Sequence, residues 1–342
     1  MKINIFLLSI LTLFILKNYG TDIKTYEGEL IKYFSHDDRS KEAVIFEKPG
    51  NGFAGCGPKC FTISDEDIVY VCDSCNKRIV KYDISFNFIE EIKSKASSYA
   101  KNIKISDMKD IFLIFEAFEI MKLDEKGNSI YSTYGNQIAE NIFAKNNFFP
   151  INDVLFFYDN SNKLRLVDKT GKIKENTDAK QKLIKIHKNN LKQKSIENTI
   201  DSDIIQYSEN NSLLIKDNKL YHPSYNEHKK YFKFKKQKVI KNAVDTPTDS
   251  IESLNILMDI FIGYDKDNNG YWRSFKSITL QSGKHKSIYA IVVVDSYGNI
   301  LDYFMIDEEN CYVQVSSKGD IYYMVAGVRV NGVAFYKIPR QW

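Results

Sequence analysis

Short runs of apolar and aromatic residues alternate with Gly, Asn and Asp turns along most of the chain after residue 21, and few stretches show a helical period. The clearest unit has four strand-like runs in about 32 residues, at 61–64, 68–73, 78–83 and 88–92. A four-stranded unit of this length cannot bury both of its faces alone and must stack on neighbouring units. The pattern therefore predicts an all-β protein built from repeated four-stranded sheets.

The same plan recurs along the rest of the chain, in units at 103–134, from 149 onward, at 204–234 in a less regular form, and at 259–305. A last unit at 312–338 has only three strand-like runs. The segment 28–34 near the N-terminus can supply its fourth strand and leave no open edge between the first and last units. We therefore predict a β-propeller of six four-stranded blades, closed by an N-terminal strand in the last blade, with five or seven blades as the alternatives.

One stretch of the first unit carries a family resemblance. Residues 68–83 contain Tyr-Val-x-Asp-Ser-x-Asn-x-Arg-Ile followed by an apolar strand. This stretch resembles the NHL repeat, and the resemblance is clearest over 55–93 and 258–305. It implies a propeller scaffold and not a particular function. It also implies that Asp73, Asn76 and Arg78 hold the turn between the second and third strands of their blade.

The composition agrees with a packed β-protein. Hydrophobic residues make up 43% of the chain and aromatic residues 13%, and the 22 Tyr and 22 Phe favour strands over helices. The formal net charge of +4 is small for 342 residues, so it argues against a dedicated nucleic-acid-binding protein. We predict no nucleic-acid partner.

The first residues follow the plan of a signal peptide. Lys2 precedes an almost wholly apolar run at 5–16, and Gly20 marks the expected cleavage site. Because the run is shorter than the ~20 residues of a membrane-spanning helix, an uncleaved anchor is the alternative, and membrane contact is expected only through that leader. We predict a signal peptide at 1–20 and a single propeller domain at 21–342, exported to the periplasm or cell envelope.

Four of the five cysteines lie close together in the sequence, as Cys56, Cys60, Cys72 and Cys75. In an oxidising compartment an even set of neighbouring cysteines favours disulfides. The hairpin predicted at 65–67 places Cys60 opposite Cys72, which leaves Cys56 to pair with Cys75. A tetrahedral zinc site and reduced or redox-active thiols are the alternatives.

Few other residues suggest chemistry. Residues 265–270 resemble the start of a calcium loop, but the twelfth position is Lys276 where such a loop needs a bidentate Glu. Asp and Asn before Gly are also ordinary turn residues, which is the interpretation we favour. The histidines have no metal-ligand spacing and no nucleophile motif occurs. No catalytic, metal-binding or cofactor-binding residue is therefore predicted, and calcium or zinc is left open.

A basic segment is the remaining candidate surface. Lysines alternate with aromatic residues at 229–236, a pattern that can bind a polyanion or a partner through charge and stacking. A strand with one buried aromatic face and one solvated face gives the same period of two, and we favour that explanation. The lysines of this candidate surface are Lys229, Lys230, Lys233, Lys235 and Lys236.

Together these observations favour a non-enzymatic scaffold that binds a ligand or protein partner on one face of the propeller, over the central channel. The partner is an unidentified protein or envelope ligand. The alternative is a metal-dependent hydrolase or lyase, resembling a lactonase, with carboxylates around an ion in the channel. A structural envelope protein without a small ligand is a third hypothesis.

Overall fold

The computed structural model describes residues 24–25, 28–48, 56–115, 119–134, 148–158, 164–174, 178–179, 181–182, 204–208, 211–216, 219–221, 251–267, 269–280, 285–294, 300–305, 312–328 and 330–341. Strands make up nearly all of the regular structure of these residues, and a 3₁₀ helix at Lys95–Ser98 leads into one of them. The prediction of an all-β protein is confirmed.

The strands, in chain order, are β1 (Lys24–Thr25), β2 (Glu29–Ser35), β3 (Phe61–Ile63), β4 (Val69–Asp73), β5 (Arg78–Tyr82), β6 (Phe88–Lys93), β7 (Ala100–Ile105), β8 (Ile111–Phe115), β9 (Glu119–Leu123), β10 (Ser129–Tyr134), β11 (Phe148–Ile151), β12 (Val154–Tyr158), β13 (Leu164–Val167), β14 (Ile173–Lys174), β15 (Ile204–Ser208), β16 (Asn211–Lys216), β17 (Lys219–Tyr221), β18 (Ile251–Tyr264), β19 (Gly270–Leu280), β20 (His285–Val294), β21 (Ile300–Met305), β22 (Tyr312–Val315), β23 (Ile321–Gly327) and β24 (Gly332–Ile338).

Five sheets with four or more strands form the blades of a propeller. Blade 1 is β3–β6, blade 2 is β7–β10, blade 3 is β11–β14, blade 4 is β18–β21 with β1 added, and blade 5 is β22–β24 with β2 added. The first strands of neighbouring blades contact one another, β22 with β3, β3 with β7, β7 with β11, and β18 with β22. These inner strands therefore face the central axis of the propeller.

The prediction of six four-stranded blades is wrong in its count, because the described residues form five blades. The less regular unit forms a separate sheet of three strands, β15–β17, and the fourth strand expected around 231–234 lies outside the described residues. The sequence pattern counts strand-like runs, but it does not decide whether a run completes a sheet, since pairing depends on backbone partners from elsewhere in the chain.

The N-terminal closure is confirmed. Strand β2 pairs antiparallel with β24, with Phe34 opposite Val333 and Ser35 opposite Gly332. Phe34 is buried and its ring meets that of Phe335 edge-on, with ring centroids 6.4 Å apart. Strand β2 thus covers the open edge of the last blade, which ties an N-terminal segment to the C-terminal end of the ring.

The core lies between the blades. Phe86 from blade 1 sits 4.4 Å from Phe335 of blade 5, centroid to centroid, and Tyr82 and Tyr322 belong to the same cluster. Neighbouring blades are therefore held by large aromatic side chains that each cover 150–250 Å² by rough estimate. The abundance of Phe and Tyr noted in the sequence has this physical role.

A repeated turn closes one end of the ring. Ser64, Ser106 and Ser316 each end the first strand of a blade, and each serine Oγ accepts a hydrogen bond from the backbone N–H four residues later. These turns also touch one another: the Ser317 N–H and hydroxyl donate to Asp67, and the Asn152 N–H donates to Asp107. This end of the ring is therefore cross-linked from blade to blade.

Blade 4 has unusually long strands. The sequence pattern predicts runs at 259–264 and 277–280, whereas β18 covers 14 residues and β19 covers 11 in one continuous hairpin. Polar residues interrupt the apolar sequence pattern of this hairpin, but β18 and β19 stay paired, and β20 pairs with the other edge of β19.

The part of the chain that the structure describes has no helix with the length and apolarity to cross a bilayer.

Candidate functional site

A small cavity lies between blades 1, 2, 4 and 5, lined by residues of β7 and β22, by Phe61 of β3 with the preceding Cys60, and by residues of the β18–β19 hairpin. Its volume is about 60 Å³. The lining residues are Cys60, Phe61, Lys101, Asn102, Ile262, Arg273, Tyr312, Val313 and Gln314. A cavity this small holds a single chemical group, because a complete drug-sized ligand needs ~300–1,000 Å³.

The cavity is cationic on one side and apolar on the other. Lys101 and Arg273 are basic residues, and the residues named above as its lining include no carboxylate. Phe61, Ile262 and Val313 are buried apolar residues. The lining thus presents hydrogen-bond donors and positive charge beside an apolar wall.

A second lysine of the inner strand β7, Lys104, is not among the residues that line the cavity. Burial lowers the pKa of Lys104 to about 8, and the Cys60 thiol opposes this change. The residue as a whole is half-buried.

Tyr312 connects the cavity to solvent. The residue is 38% exposed, and burial of its hydroxyl raises the pKa of Tyr312, to which the neighbouring Cys60 contributes while Arg273 opposes the change. The hydroxyl is therefore protonated near neutral pH and able to donate a hydrogen bond.

The cysteines divide into a bridged pair and a free pair. Cys56 and Cys75 form a disulfide whose Cα atoms are 5.5 Å apart. Cys60 and Cys72 are buried free thiols. Their predicted register is present, since the Cys72 N–H donates to the Cys60 carbonyl at 3.0 Å, and a hydrogen bond with the Cys60 side chain together with burial raises the pKa of Cys72 well above its usual range. The structure thus contains the Cys56–Cys75 disulfide, whereas Cys60 and Cys72 lie opposite each other with no bond between their sulfurs.

A four-cysteine zinc site does not form in this geometry. The cluster of potential metal ligands within 4.8 Å of one another consists of Glu47, Cys56 and Cys75, and its two sulfurs are bonded to each other. Zinc binds thiolates, which a disulfide does not provide. With the disulfide intact, this cluster offers a metal ion the carboxylate of Glu47 and no thiolate.

The residues of the NHL-like motif have structural roles. Asp73 is fully buried and accepts hydrogen bonds from Asn76 Nδ2 at 2.8 Å and from Arg78 Nε at 2.9 Å. Arg78 also donates to the carbonyls of Lys41 and Ala43, at 2.8 and 2.6 Å. The motif therefore stabilises its own turn and holds, through hydrogen bonds from Arg78, the segment that connects β2 with β3.

The loop at 265–270 is the hairpin turn between β18 and β19. One carboxylate oxygen of Asp265 accepts the N–H groups of Asp267 and Asn269, and the other accepts Asn269 Nδ2 and the Tyr271 hydroxyl. Arg340 lies 3.6 Å from the same carboxylate. Both carboxylate oxygens of Asp265 already accept hydrogen bonds within the protein, which supports the interpretation of this calcium-like sequence as a turn.

The lysine-rich candidate surface at 229–236 lies outside the described residues, as does the leader. Apart from Cys60, the residues of the cavity were not singled out in the sequence. Lys101 and Asn102 lie just before the run predicted to begin at residue 103, and the structure includes both of them in the strand Ala100–Ile105.

No protein-family model matches the chain, so the NHL-repeat resemblance is not confirmed as membership. No curated protein matches it in sequence.

Several solved propeller structures resemble the chain. Virginiamycin B lyase from Staphylococcus aureus is 11% identical over 83% of this chain and 96% of its own, with a TM-score of 0.36. A member of the DUF4221 family from Bacteroides vulgatus is 10% identical over 92% and 97%, with a TM-score of 0.44. A calcium-binding protein, regucalcin, from Agrobacterium tumefaciens is 9% identical over 92% and 95%, with a TM-score of 0.35. Similarity at this level says nothing about the ligand or reaction of this chain.

Proposed function

We propose that this protein is an exported, non-enzymatic propeller that binds a ligand in the cavity between blades 1, 2, 4 and 5. The observation that carries the proposal is that this cavity combines Lys101 and Arg273 with an apolar wall. Concave sites that combine an apolar wall with a few convergent polar groups are typical of ligand binding.

Export to the periplasm or cell envelope is part of this proposal. The Cys56–Cys75 disulfide fits an oxidising compartment, and the charged and apolar pattern of residues 1–20 fits a leader that is removed. The mature protein is then expected to begin near residue 21. N-terminal sequencing of the native protein that starts at Met1 would contradict the removal of the leader.

The test of the binding role is native mass spectrometry of the mature protein purified from its own envelope. We expect a non-covalent mass step that disappears on denaturation, persists after treatment with a chelator, and is lost in an Arg273→Met variant. Lys126→Met is the matched control, because Lys126 is exposed in a turn of blade 2 and does not line the cavity. A protein that carries no ligand under any of these conditions contradicts the binding role.

The metal-dependent hydrolase or lyase is the rival proposal. It requires a divalent ion held by carboxylates in the channel. The lining of the cavity contributes cations, amides and a phenol instead. A chelator-sensitive mass step in the same experiment would favour this rival over the scaffold.

A further inference from the structure

We infer that Glu47, Cys56 and Cys75 form a zinc site that becomes available when the Cys56–Cys75 disulfide is reduced. The site lies where the segment that connects β2 with β3 meets the turn between β4 and β5. It is separate from the cavity, whose lining includes none of these three residues. The inference therefore goes beyond the proposed binding function and does not depend on it.

The first observation is the convergence of three ligand atoms. A carboxylate oxygen of Glu47 and the sulfurs of Cys56 and Cys75 all lie within 4.8 Å of one another. Glu47 Oε2 is 3.5 Å from Cys56 Sγ, and the backbone holds this pair together because the Glu47 N–H donates to the Cys56 carbonyl at 2.8 Å. Cys75 Sγ lies 3.4 Å from the carbonyl oxygen of Ile45, two residues before Glu47. The fold thus places one carboxylate and two sulfurs around a single point.

The second observation is that contacts other than the disulfide hold the two halves of the site together. Arg78 follows the turn that contains Cys75, and it donates to the carbonyls of Lys41 and Ala43 at 2.8 and 2.6 Å. Asp73, which precedes the same turn, accepts a hydrogen bond from Arg78 Nε at 2.9 Å. These contacts do not involve sulfur, so they remain when the S–S bond is broken. The two thiols should therefore stay close enough to bind one ion.

Two thiolates and one carboxylate are suitable ligands for zinc. Zinc takes cysteine sulfur at about 2.3 Å and carboxylate oxygen at about 2.0–2.2 Å, in a tetrahedral arrangement whose fourth position water can occupy. Thiolates select zinc over calcium and magnesium, which take oxygen ligands. Arg39 lies 3.8 Å from the Glu47 carboxylate, but both side chains are more than half exposed. An exposed ion pair of this kind is weak, so it leaves Glu47 able to bind an ion.

The step that makes the site available is thiol–disulfide exchange. A dithiol reductant supplies two electrons and two protons, so the S–S bond breaks, two thiols form and the reductant becomes a disulfide. Zinc then displaces both thiol protons, because the thiolate is the form that binds metal. Cys56 and Cys75 are partly exposed, so a reductant and an ion can reach them, whereas Cys60 and Cys72 are buried. The disulfide and the zinc complex are therefore mutually exclusive states of one site.

Zinc titration of the purified protein tests the inference, before and after reduction with a dithiol that is then removed in the absence of oxygen. We expect the reduced protein to bind one zinc ion in competition with a chromophoric chelator, and the oxidised protein to bind none at this site. Glu47→Gln should weaken zinc binding by at least about tenfold, since even the loss of a residue that only orients a metal ligand costs this much. The matched control is Glu66→Gln, which removes an exposed carboxylate paired with Lys109 at 3.3 Å and should bind zinc like the wild type.

Cobalt(II) in place of zinc identifies the sulfur ligands. Charge-transfer absorption between sulfur and cobalt should appear in the reduced wild type, weaken in Cys56→Ser and in Cys75→Ser, and persist when Cys60 and Cys72 are both replaced by Ala. Zinc should also raise the unfolding midpoint of the reduced wild type and not that of Cys56→Ser, because an ion that binds the folded state stabilises it. If reduction alone unfolds the chain, zinc should refold it for the same reason.

Four results would overturn the inference. Equal zinc binding by the oxidised and reduced proteins would show that the disulfide does not control the site. A cobalt band that is lost without Cys60 and Cys72 but retained in Cys56→Ser would assign the metal to the buried thiols. A reduced protein without zinc affinity, or one that binds calcium as tightly as zinc, would contradict the ligand set. None of these results bears on the cavity, because its ligand is sought in the native protein with the disulfide intact.

Discussion

The buried guanidinium of Arg78 allows a direct test of which interactions stabilise the fold. Its side chain is 8% exposed and lies between the fully buried carboxylate of Asp73 and Glu91, at 2.9 and 2.6 Å. It also donates to two backbone carbonyls of the segment that connects β2 with β3. Replacement by Met keeps the aliphatic length of the side chain and removes every one of these hydrogen bonds.

We expect Arg78→Met to lower the free energy of unfolding by about 3–5 kcal/mol, because it leaves a buried carboxylate without its cation. The matched control on the same strand is Lys81→Met, whose partner Glu90 is 55% exposed. An exposed pair of this kind contributes about 1 kcal/mol or less. Urea unfolding followed by circular dichroism measures both losses, provided the slope of the transition is unchanged.

A double-mutant cycle tests whether the lost free energy of unfolding comes from the Asp73–Arg78 pair. If the Asp73–Arg78 interaction dominates, Arg78→Met combined with Asp73→Asn should cost clearly less than the two single changes added together, by about 0.5–3 kcal/mol. Losses that simply add, or a loss for Arg78→Met no larger than that for Lys81→Met, would refute the assignment of this network as the anchor of the connecting segment.

Three further predictions concern the disulfide, the thiols and the closure. Reduction of Cys56–Cys75, which spans a sequence separation of 19 residues, should lower the free energy of unfolding by about 3 kcal/mol, and guanidinium unfolding with and without reductant checks this. Cys60 and Cys72 should resist alkylation in the native protein and react after unfolding, so rapid labelling of either by iodoacetamide under native conditions would show that they are not buried. Gly332→Ala should cost about 1–3 kcal/mol, because its methyl group would collide with the Phe34 carbonyl on β2, and limited proteolysis near the N-terminus should then accelerate compared with an Ala334→Gly control.

Much of the scaffold was contained in the sequence. The alternation of apolar and polar residues predicts the strands of blades 1 to 3, because the side-chain period of a half-buried strand is a local property. The alignment of Cys60 with Cys72 is also local, since a short hairpin turn fixes the register of the strands on both sides. The closing strand at 28–34 was predicted instead from the missing fourth strand of the last unit. The structural roles of Asp73, Asn76 and Arg78 likewise follow from a motif only a few residues long.

The tertiary structure decided what depends on distant parts of the chain. The number of complete blades and the length of β18 and β19 depend on which strands find partners. The cavity exists only because Cys60, Lys101, Arg273 and Tyr312 come from four different blades, separated in sequence by up to about 250 residues. A lysine in a strand shows its charge in the sequence, but whether its side chain lines a cavity is set by the blades that surround it, which is why Lys101 became visible as a candidate ligand-binding residue only in the folded protein.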